Sequence, residues 1–261
     1  SFVDVASGQR PPDPDLIVGA GRRTHASMLR ARARHGGRTI VLMRPTAPAA
    51  RFDLCLVPAH DEPAERPNVL VTQGVLNRVR ATGSAARDSS RNEPRVLILL
   101  GGPSRHYDWL DAEVLAQIDG IVRADSSVCH TICDSRRTPA RTRARLAADP
   151  PAKLVLWEST QAGWLASALA DAQQVWVTED SVSMVYEALS SGAAVGLLRL
   201  ARRRSNRVAT GISRLLACGL VTSFDSWASG VALTPPAEPL AEADRCAEWL
   251  VRHWLPDWAP S

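Results

Sequence analysis

The stretch VWVTEDSVSMVYEALSSG (residues 175–192) changes period within itself. Val175 to Thr178 is a β-branched and aromatic run, whereas Met184, Val185, Ala188 and Leu189 recur at helical spacing until Gly192 stops them. Between the two, Asp180 and Ser181 offer capping oxygens. A strand therefore runs directly into a helix, and the first N–H groups of that helix, at the positive end of its dipole, stand at the carboxyl end of the strand. Such a juncture is an anion site. Hydroxyls of Ser181 and Ser183 can add donors to a diphosphate, and Glu187, on the following turn, can accept hydrogen bonds from ribose hydroxyls. Read without a ligand, Asp180 or Ser181 merely caps a helix and Glu187 is a solvated surface acid.

Runs of the same kind flank this segment on both sides. DLIVGAG (15–21), RTIVLMRP (38–45), FDLCLVP (52–58) and NVLVTQG (68–74) form one set, with a helical THASMLRARARHG (24–36) after the first. RVLILLGG (95–102), SVCHTICDS (127–135), AKLVLWES (152–159) and AAVGLLRL (193–200) form a second set around residues 174–180. Helices are expected at 108–122, 138–148, 181–191 and 205–218. Fully apolar strands alternating with helices predict an α/β class with parallel sheets, as two Rossmann-like domains. RATGSAARDSSRNEP (80–94) is small, polar and without an apolar period, so the expected division is 1–82, a linker at 83–94, and a second domain at 95–261. Ligands are expected in a cleft at the carboxyl ends of the strands. No repeat of 20 to 50 residues is present, which excludes solenoids and propellers.

At 261 residues, with 45% hydrophobic and 22% charged residues, the chain is long enough and apolar enough for real cores without staples. No stretch approaches the roughly 20 apolar residues of a membrane span, and the start of the chain has no secretory pattern. Five cysteines in irregular positions make no disulfide framework and favour a reducing, cytoplasmic compartment. The net charge of +4 arises from 31 basic and 27 acidic residues, Lys153 being the single lysine. This arginine bias is read as genome composition and not as nucleic-acid binding, although RRTPARTRAR (136–145) and RLARRRSNR (199–207) can face phosphate.

Other strand ends carry chemistry too. In VLILLGGPSRHYDWL (96–110), Gly101 and Gly102 let backbone approach a phosphate closely and Ser104 precedes a helix, but neither a P-loop nor a GxGxxG pattern is present. Arg22 and Arg23 beside the Gly19–Gly21 turn can clamp an anion, and His25 can titrate near neutrality. His60 and Asp61 end another strand, where an acid–base pair would stand. Asp134, Ser135, Arg136 and Arg137 end a fourth. Cys129 and Cys133 lack a second pair at zinc spacing and read as core thiols, so no metal site is expected. Trp157 can stack on a base, though with eight tryptophans packing is the simpler role.

Six segments taken in order, GAGRRTH (19–25), GGRTIVLMRP (36–45), FDLCLVPAHD (52–61), LLGGPSRHY (99–107), DSRRTP (134–139) and VTEDSVSMVYEA (177–188), resemble bacterial relatives of the plant mitochondrial-fission ELM family. The resemblance runs from about residue 14 to about 235. It implies a GT-B-like layout, in which the carboxyl domain holds a nucleotide sugar. The family pattern puts Gly101, Gly102 and Ser104, then Ser181 and Ser183, on the phosphates and Glu187 on the ribose. GT-B proteins usually open with a strand, a Gly-rich turn and a helix. Little lies upstream of Leu16, so the N-terminal unit reads as incomplete.

The implied function is metal-independent glycosyl transfer from a nucleotide sugar bound as substrate, with no further cofactor. Arg136 and Arg137, or Arg202, Arg203 and Arg204, would steady the leaving diphosphate, and His25 or Asp61 would activate the acceptor. A rival reading is a non-catalytic adaptor that binds a protein or an anionic membrane surface through the 199–207 arginines and Trp249, Trp254 and Trp258. The amphipathic segment carrying those tryptophans can equally be a last helix that crosses back to the first domain. A nucleotide-sugar epimerase shares the same site.

Overall fold

The computed structural model describes residues 13–81, 95–203 and 207–255. In chain order the elements are β1 (Leu16–Ala20), α1 (His25–His35), β2 (Arg38–Leu42), β3 (Leu54–Pro58), β4 (Val69–Thr72), β5 (Arg95–Leu99) and β6 (Tyr107–Asp108). There follow α2 (Asp111–Ala124), β7 (Cys129–Cys133), α3 (Ala140–Ala148), β8 (Lys153–Val155), α4 (Trp164–Asp171), β9 (Gln174–Thr178) and α5 (Val182–Ser191). The last are β10 (Ala194–Leu198), β11 (Ala201–Arg202), α6 (Arg207–Ala217), β12 (Thr222–Ser223), α7 (Phe224–Ala228) and α8 (Glu242–Trp254). The chain divides between Leu76 and Asn77 and again between Ala243 and Asp244, the two end pieces forming one unit and the middle the other.

The first unit is a four-stranded sheet, β1-β2-β3-β4, parallel throughout. Its inner strands β2 and β3 read as continuous apolar runs because both faces are covered, whereas Val18 of β1 and Val71 of β4 stay exposed at the edges. On one face Ile17, Val41, Cys55 and Val57 pack with Met28 of α1 and with Phe52. On the other, Ile40, Leu54 and Leu56 pack with Cys246, Trp249, Leu250 and Trp254 of α8. The guanidinium of Arg38 lies 4.8 Å above the Trp254 ring.

This placement of α8 corrects the expected second domain of 95–261. A sheet face made of Ile40, Leu54 and Leu56 must bury itself against something, and the apolar stripe of the last helix does so. Trp249 and Trp254 are thereby packing residues. The expected linker at 83–94 and Trp258 lie outside the described residues.

The second unit is a six-stranded parallel sheet in the order β12-β10-β9-β5-β7-β8. Its core contains Val96, Ile98, Ile132 and Trp176 from the strands with Val114, Ile118 and Ile121 from α2 and Leu146 from α3. The chain starts at the centre with β5, moves out through β7 and β8, then returns to the other side of β5 with β9. The winding thus reverses between β5 and β9, and open α/β sheets bind ligands at that reversal. A short antiparallel ribbon pairs β6 with β11. Helices α2, α3, α5 and α6 stand within two or three residues of the positions expected from periodicity. No helix among the described residues is long and apolar enough to cross a membrane.

Gly196 of β10 pairs with Trp176 of β9, and an added Cβ would fall on the Trp176 indole. Trp176 is fully buried. Gly196→Ala should therefore cost about 1–3 kcal/mol by overpacking, read as a lowered urea midpoint at unchanged slope. An unaltered midpoint would contradict this packing.

Candidate functional site

The site stands at the carboxyl ends of β5, β7 and β9 in the second unit. After β5 the chain turns through Gly101 and Gly102. Gly101 N–H donates to Thr178 Oγ1 (2.8 Å) and Gly102 N–H to Asp180 Oδ2 (3.1 Å). The Gly101 carbonyl accepts from Thr138 Oγ1 (2.7 Å) and Ser135 Oγ (3.1 Å), which follow β7. An added Cβ at Gly101 would collide with Ser181 Oγ and both Asp180 carboxylate oxygens, and one at Gly102 with the Arg137 backbone. Glycine is required at both positions because three strand ends close on this turn.

Arg137 fastens the turn to the start of α5. Its Nη1 lies 2.6 Å from Asp180 Oδ2 and its Nη2 donates to Ser181 Oγ at 2.7 Å. The Asp180 side chain is wholly buried, whereas that of Arg137 is 46% exposed. A buried carboxylate needs such a partner, since desolvation of an unpaired charge is prohibitive. The second oxygen, Oδ1, has no hydrogen-bond partner. Ser181 stands at the N-cap of α5 but makes no capping bond, its hydroxyl being held by Arg137. The first N–H groups of α5 are therefore not occupied by their cap, and an uncapped helix start attracts anions.

The expected residues distribute unevenly around this centre. Gly101, Gly102 and Ser181 are brought together. Ser183, in the first turn of α5, is exposed, and Glu187 is half-buried, with burial raising its carboxyl above the usual glutamate range. Ser104 is committed to its own turn, accepting from the N–H groups of His106 (3.1 Å) and Tyr107 (3.2 Å). Arg136 points its guanidinium over the Trp157 ring at 6.0 Å, so Arg137 and not Arg136 makes the contacts at the glycine turn. In the first unit, His25 is 6% exposed, its Nδ1 lies 3.3 Å from Thr46 Oγ1, and its ring packs on Phe52. Those are the surroundings of a packed core histidine. Asp61 follows β3, and its backbone carbonyl accepts from Arg44 Nη1 at 2.8 Å.

Two further ionic clusters frame the second unit's strand ends. Arg143 pairs with Glu158 at 2.6 Å and with the buried Asp134, whose Oδ2 lies 2.6 Å from Nε as an ion pair, off the line of a hydrogen bond. The bond from Arg143 holds the Glu158 carboxyl below its ordinary range. Asp134 Oδ1 also accepts from Trp157 N–H at 2.6 Å, joining β7 to β8. Arg202 reaches the buried Glu179 at 3.4 Å, and burial raises that carboxyl. Tyr107, beside them, is pushed up to about 12 by burial and then by Glu179. Arg203 pairs with Asp108 at 2.6 Å and Arg199 with Asp225 at 3.7 Å. Arg199, Arg202 and Arg203 of the 199–207 run thus face carboxylates, and Arg204 lies outside the described residues. Among the described residues no group of three or more His, Cys, Asp or Glu stands together to hold a metal ion.

Sequence reasoning missed Thr178, Ser135 and Thr138 as the clamps of the glycine turn. The signal available was a hydroxyl residue at each of two neighbouring strand ends.

Two parallel α/β units, the second with a glycine turn meeting a helix start where its winding reverses, define a GT-B-like protein. The chain belongs to the mitochondrial fission ELM1 family, whose model matches residues 3–254. Among solved structures it is similar to a provisionally assigned UDP-N-acetylglucosamine 2-epimerase from Listeria monocytogenes, with 14% identity, TM-score 0.59, and coverage of 93% of this chain and 75% of that one. It is also similar to the UDP-GlcNAc 2-epimerase of Neisseria meningitidis bound to UDP-GlcNAc, with 12% identity, TM-score 0.53 and coverage of 92% and 77%. The Methanocaldococcus jannaschii UDP-GlcNAc 2-epimerase, in complex with UDP-GlcNAc and UDP, gives 12%, 0.53, and coverage of 92% and 76%. At these identities the likeness is one of fold. No match is found among curated proteins.

Arg137→Ala would leave Asp180 buried without its cation. The expected loss is about 2 kcal/mol, below the 3–5 of a fully buried pair because the arginine is half exposed. Asp180→Asn in the same chain should recover part of that loss, since the stranded charge is gone. Urea unfolding of the single and double variants checks both, and purely additive losses would show that the two side chains do not interact.

Proposed function

We propose that the chain binds a nucleotide sugar through its second unit and transfers the sugar from it. The observation that carries this reading is the meeting of the Gly101–Gly102 turn, the uncapped start of α5 and the half-exposed Arg137 at the reversal of the sheet. In it, the first N–H groups of α5 and the exposed hydroxyl of Ser183 donate to phosphate oxygens, while the buried Ser181 hydroxyl, held by Arg137 and directed at Asp180, fixes the start of the helix. Arg137 supplies a full positive charge, and Arg136, at the same strand end, adds charge to the approach. Glu187 accepts from ribose hydroxyls, and Ser104 contributes by shaping the turn. Negative charge grows on the diphosphate as the sugar departs, and donors fixed beforehand stabilise it without reorganisation.

The named ligands of the solved neighbours make a UDP-sugar the first donor to test. Their named activity favours a second reading, epimerisation of a UDP-sugar, which would use the same nucleotide contacts. An adaptor role at an anionic surface is less favoured, because Arg199, Arg202 and Arg203 are paired within the unit.

Calorimetry with UDP, UDP-GlcNAc, CMP-sugars and ADP-sugars is the direct test. A uridine ligand should bind, and Ser183→Ala should weaken it about tenfold, the worth of one hydrogen bond to a charged group. Absence of any binding at millimolar ligand would end the nucleotide-sugar reading.

The pH dependence offers a separate check. Ribose hydroxyls are bound by the ionised Glu187, and burial raises its pKa. Nucleotide affinity should therefore fall as the pH is lowered through a window above the usual glutamate range. Glu187→Gln should flatten that dependence, and an identical pH profile in the variant would remove Glu187 from the ribose site.

A further inference from the structure

A cavity of about 160 Å³ lies in the second unit between the short helix α4 and the face of the sheet formed by β5, β7 and β8. The register sets its floor. Leu97 of β5 pairs with Thr131 of β7, and Thr131 pairs with Lys153 of β8. Residues paired in this way share one face of a sheet, so an apolar side chain, a hydroxyl and an ammonium stand in a row across three neighbouring strands. Val155, two residues beyond Lys153, continues that face, and Trp164, Ser167 and Ala168 of α4 form the opposite wall.

Inner strands of a covered parallel sheet are ordinarily enclosed, yet α4 leaves Thr131 of β7 partly exposed. Its hydroxyl is neither hydrogen-bonded nor buried among the described residues. Lys153 is exposed and forms no ion pair or side-chain hydrogen bond among the described residues. Arg95 and Asp171, at the rim, stand 3.7 Å apart and offset each other, so Lys153 leaves the cavity with one net positive charge. That sum suits a monoanion. Lys153 is also the single lysine among 31 basic residues. A compact ammonium with rotatable donors can turn to a carboxylate beside Thr131, where the flat fork of a guanidinium would fill the slot. The rest of the wall is hydrocarbon from Leu97, Val155 and Ala168, with the Trp164 ring beside them. A cavity near 150 Å³ is enough to take up benzene, so this one has room for a short aliphatic chain.

We propose that this cavity is a second ligand site, for a short-chain monocarboxylate whose oxygens accept from the Lys153 ammonium and the Thr131 hydroxyl. The chain of the ligand packs on Leu97, Val155 and Ala168. The site is independent of the nucleotide-sugar reading, because none of its lining residues belongs to the Gly101–Gly102 turn or to the start of α5.

The test uses the full chain labelled with ²H and ¹⁵N, with butyrate as the probe. The uncharged counterpart is 1-butanol, and inorganic phosphate is an anion without hydrocarbon. Butyrate should move the amide peaks of Thr131, Lys153 and Ser167 saturably, with a Kd on the order of millimolar, as its size allows. Butanol and phosphate should each bind at least about tenfold more weakly, one lacking the charged acceptor and the other the apolar part. Lys153→Met keeps the side-chain stem at an exposed position and removes the charge. It should weaken butyrate about tenfold, leave butanol unchanged, and keep the remainder of the spectrum as it was. Thr131→Val, similar in shape, should weaken butyrate about fivefold. Absence of a saturable shift with butyrate overturns the proposal. Equal binding of butanol, which would indicate an apolar void, overturns it as well. Equal binding of phosphate, the mark of an adventitious ion only, has the same consequence, as does undiminished binding of butyrate by Lys153→Met or by Thr131→Val.

Discussion

The second unit is organised around one buried negative charge. Asp180 follows a strand whose last four residues are buried, and its carboxylate has no access to water. Everything nearby answers that charge. Gly102 gives it a backbone N–H, Arg137 gives it a guanidinium, and the turn after β5 must be glycine because a side chain would occupy the space of the carboxylate. A lysine at 137 could not serve, since the guanidinium holds Asp180 through Nη1 and Ser181 through Nη2 at once. The ends of β5, β7 and β9 are thereby tied together where the sheet reverses its winding.

The fold was legible because both sheets are parallel and covered. Strands such as Leu54–Pro58, buried at all five positions, carry no alternation and stand out as plain apolar runs between helical stretches. What sequence reasoning left open was which element covers which face, the last helix being offered both as a surface-binding segment and as one that crosses back to the first domain. The stripe of Trp249, Leu250 and Trp254 announces an apolar helix face, but nothing in its spacing says that the bare face of Ile40, Leu54 and Leu56, some 200 residues earlier in the chain, is its partner.

The candidate site was legible to the level of the segment and not of the side chain. Strand-to-helix punctuation located the turns at 101–102 and 180–181, and their juxtaposition follows from β5 and β9 being neighbours. Within the doublet Arg136–Arg137, however, the choice depends on the direction of the chain as it leaves β7, a matter of backbone geometry. There Ser135 and Thr138 bond to each other across a tight turn, and Arg137 is the residue that faces Gly102. Ser104 illustrates the converse, since a serine before a helix is as often a turn-former as a ligand. Its hydroxyl is spent on two N–H groups of its own loop.

The same charges also bear on how an anion can bind. With Arg137 opposite Asp180 the centre is close to neutral, and both glycine N–H groups are already taken by Thr178 and Asp180. In the nucleotide-sugar reading proposed above, an incoming diphosphate would find its attraction in the dipole of α5, equivalent to about half a charge, and in the exposed portion of the Arg137 fork. Asp180 is at once the group that holds the arginine in place and the group that competes with a ligand for it. On that proposal the arrangement would favour ligands that bring other contacts with them, a ribose against Glu187 above all, over bare phosphate. Selectivity for a whole nucleotide over a free anion would then arise from the carboxylate that makes the fold possible.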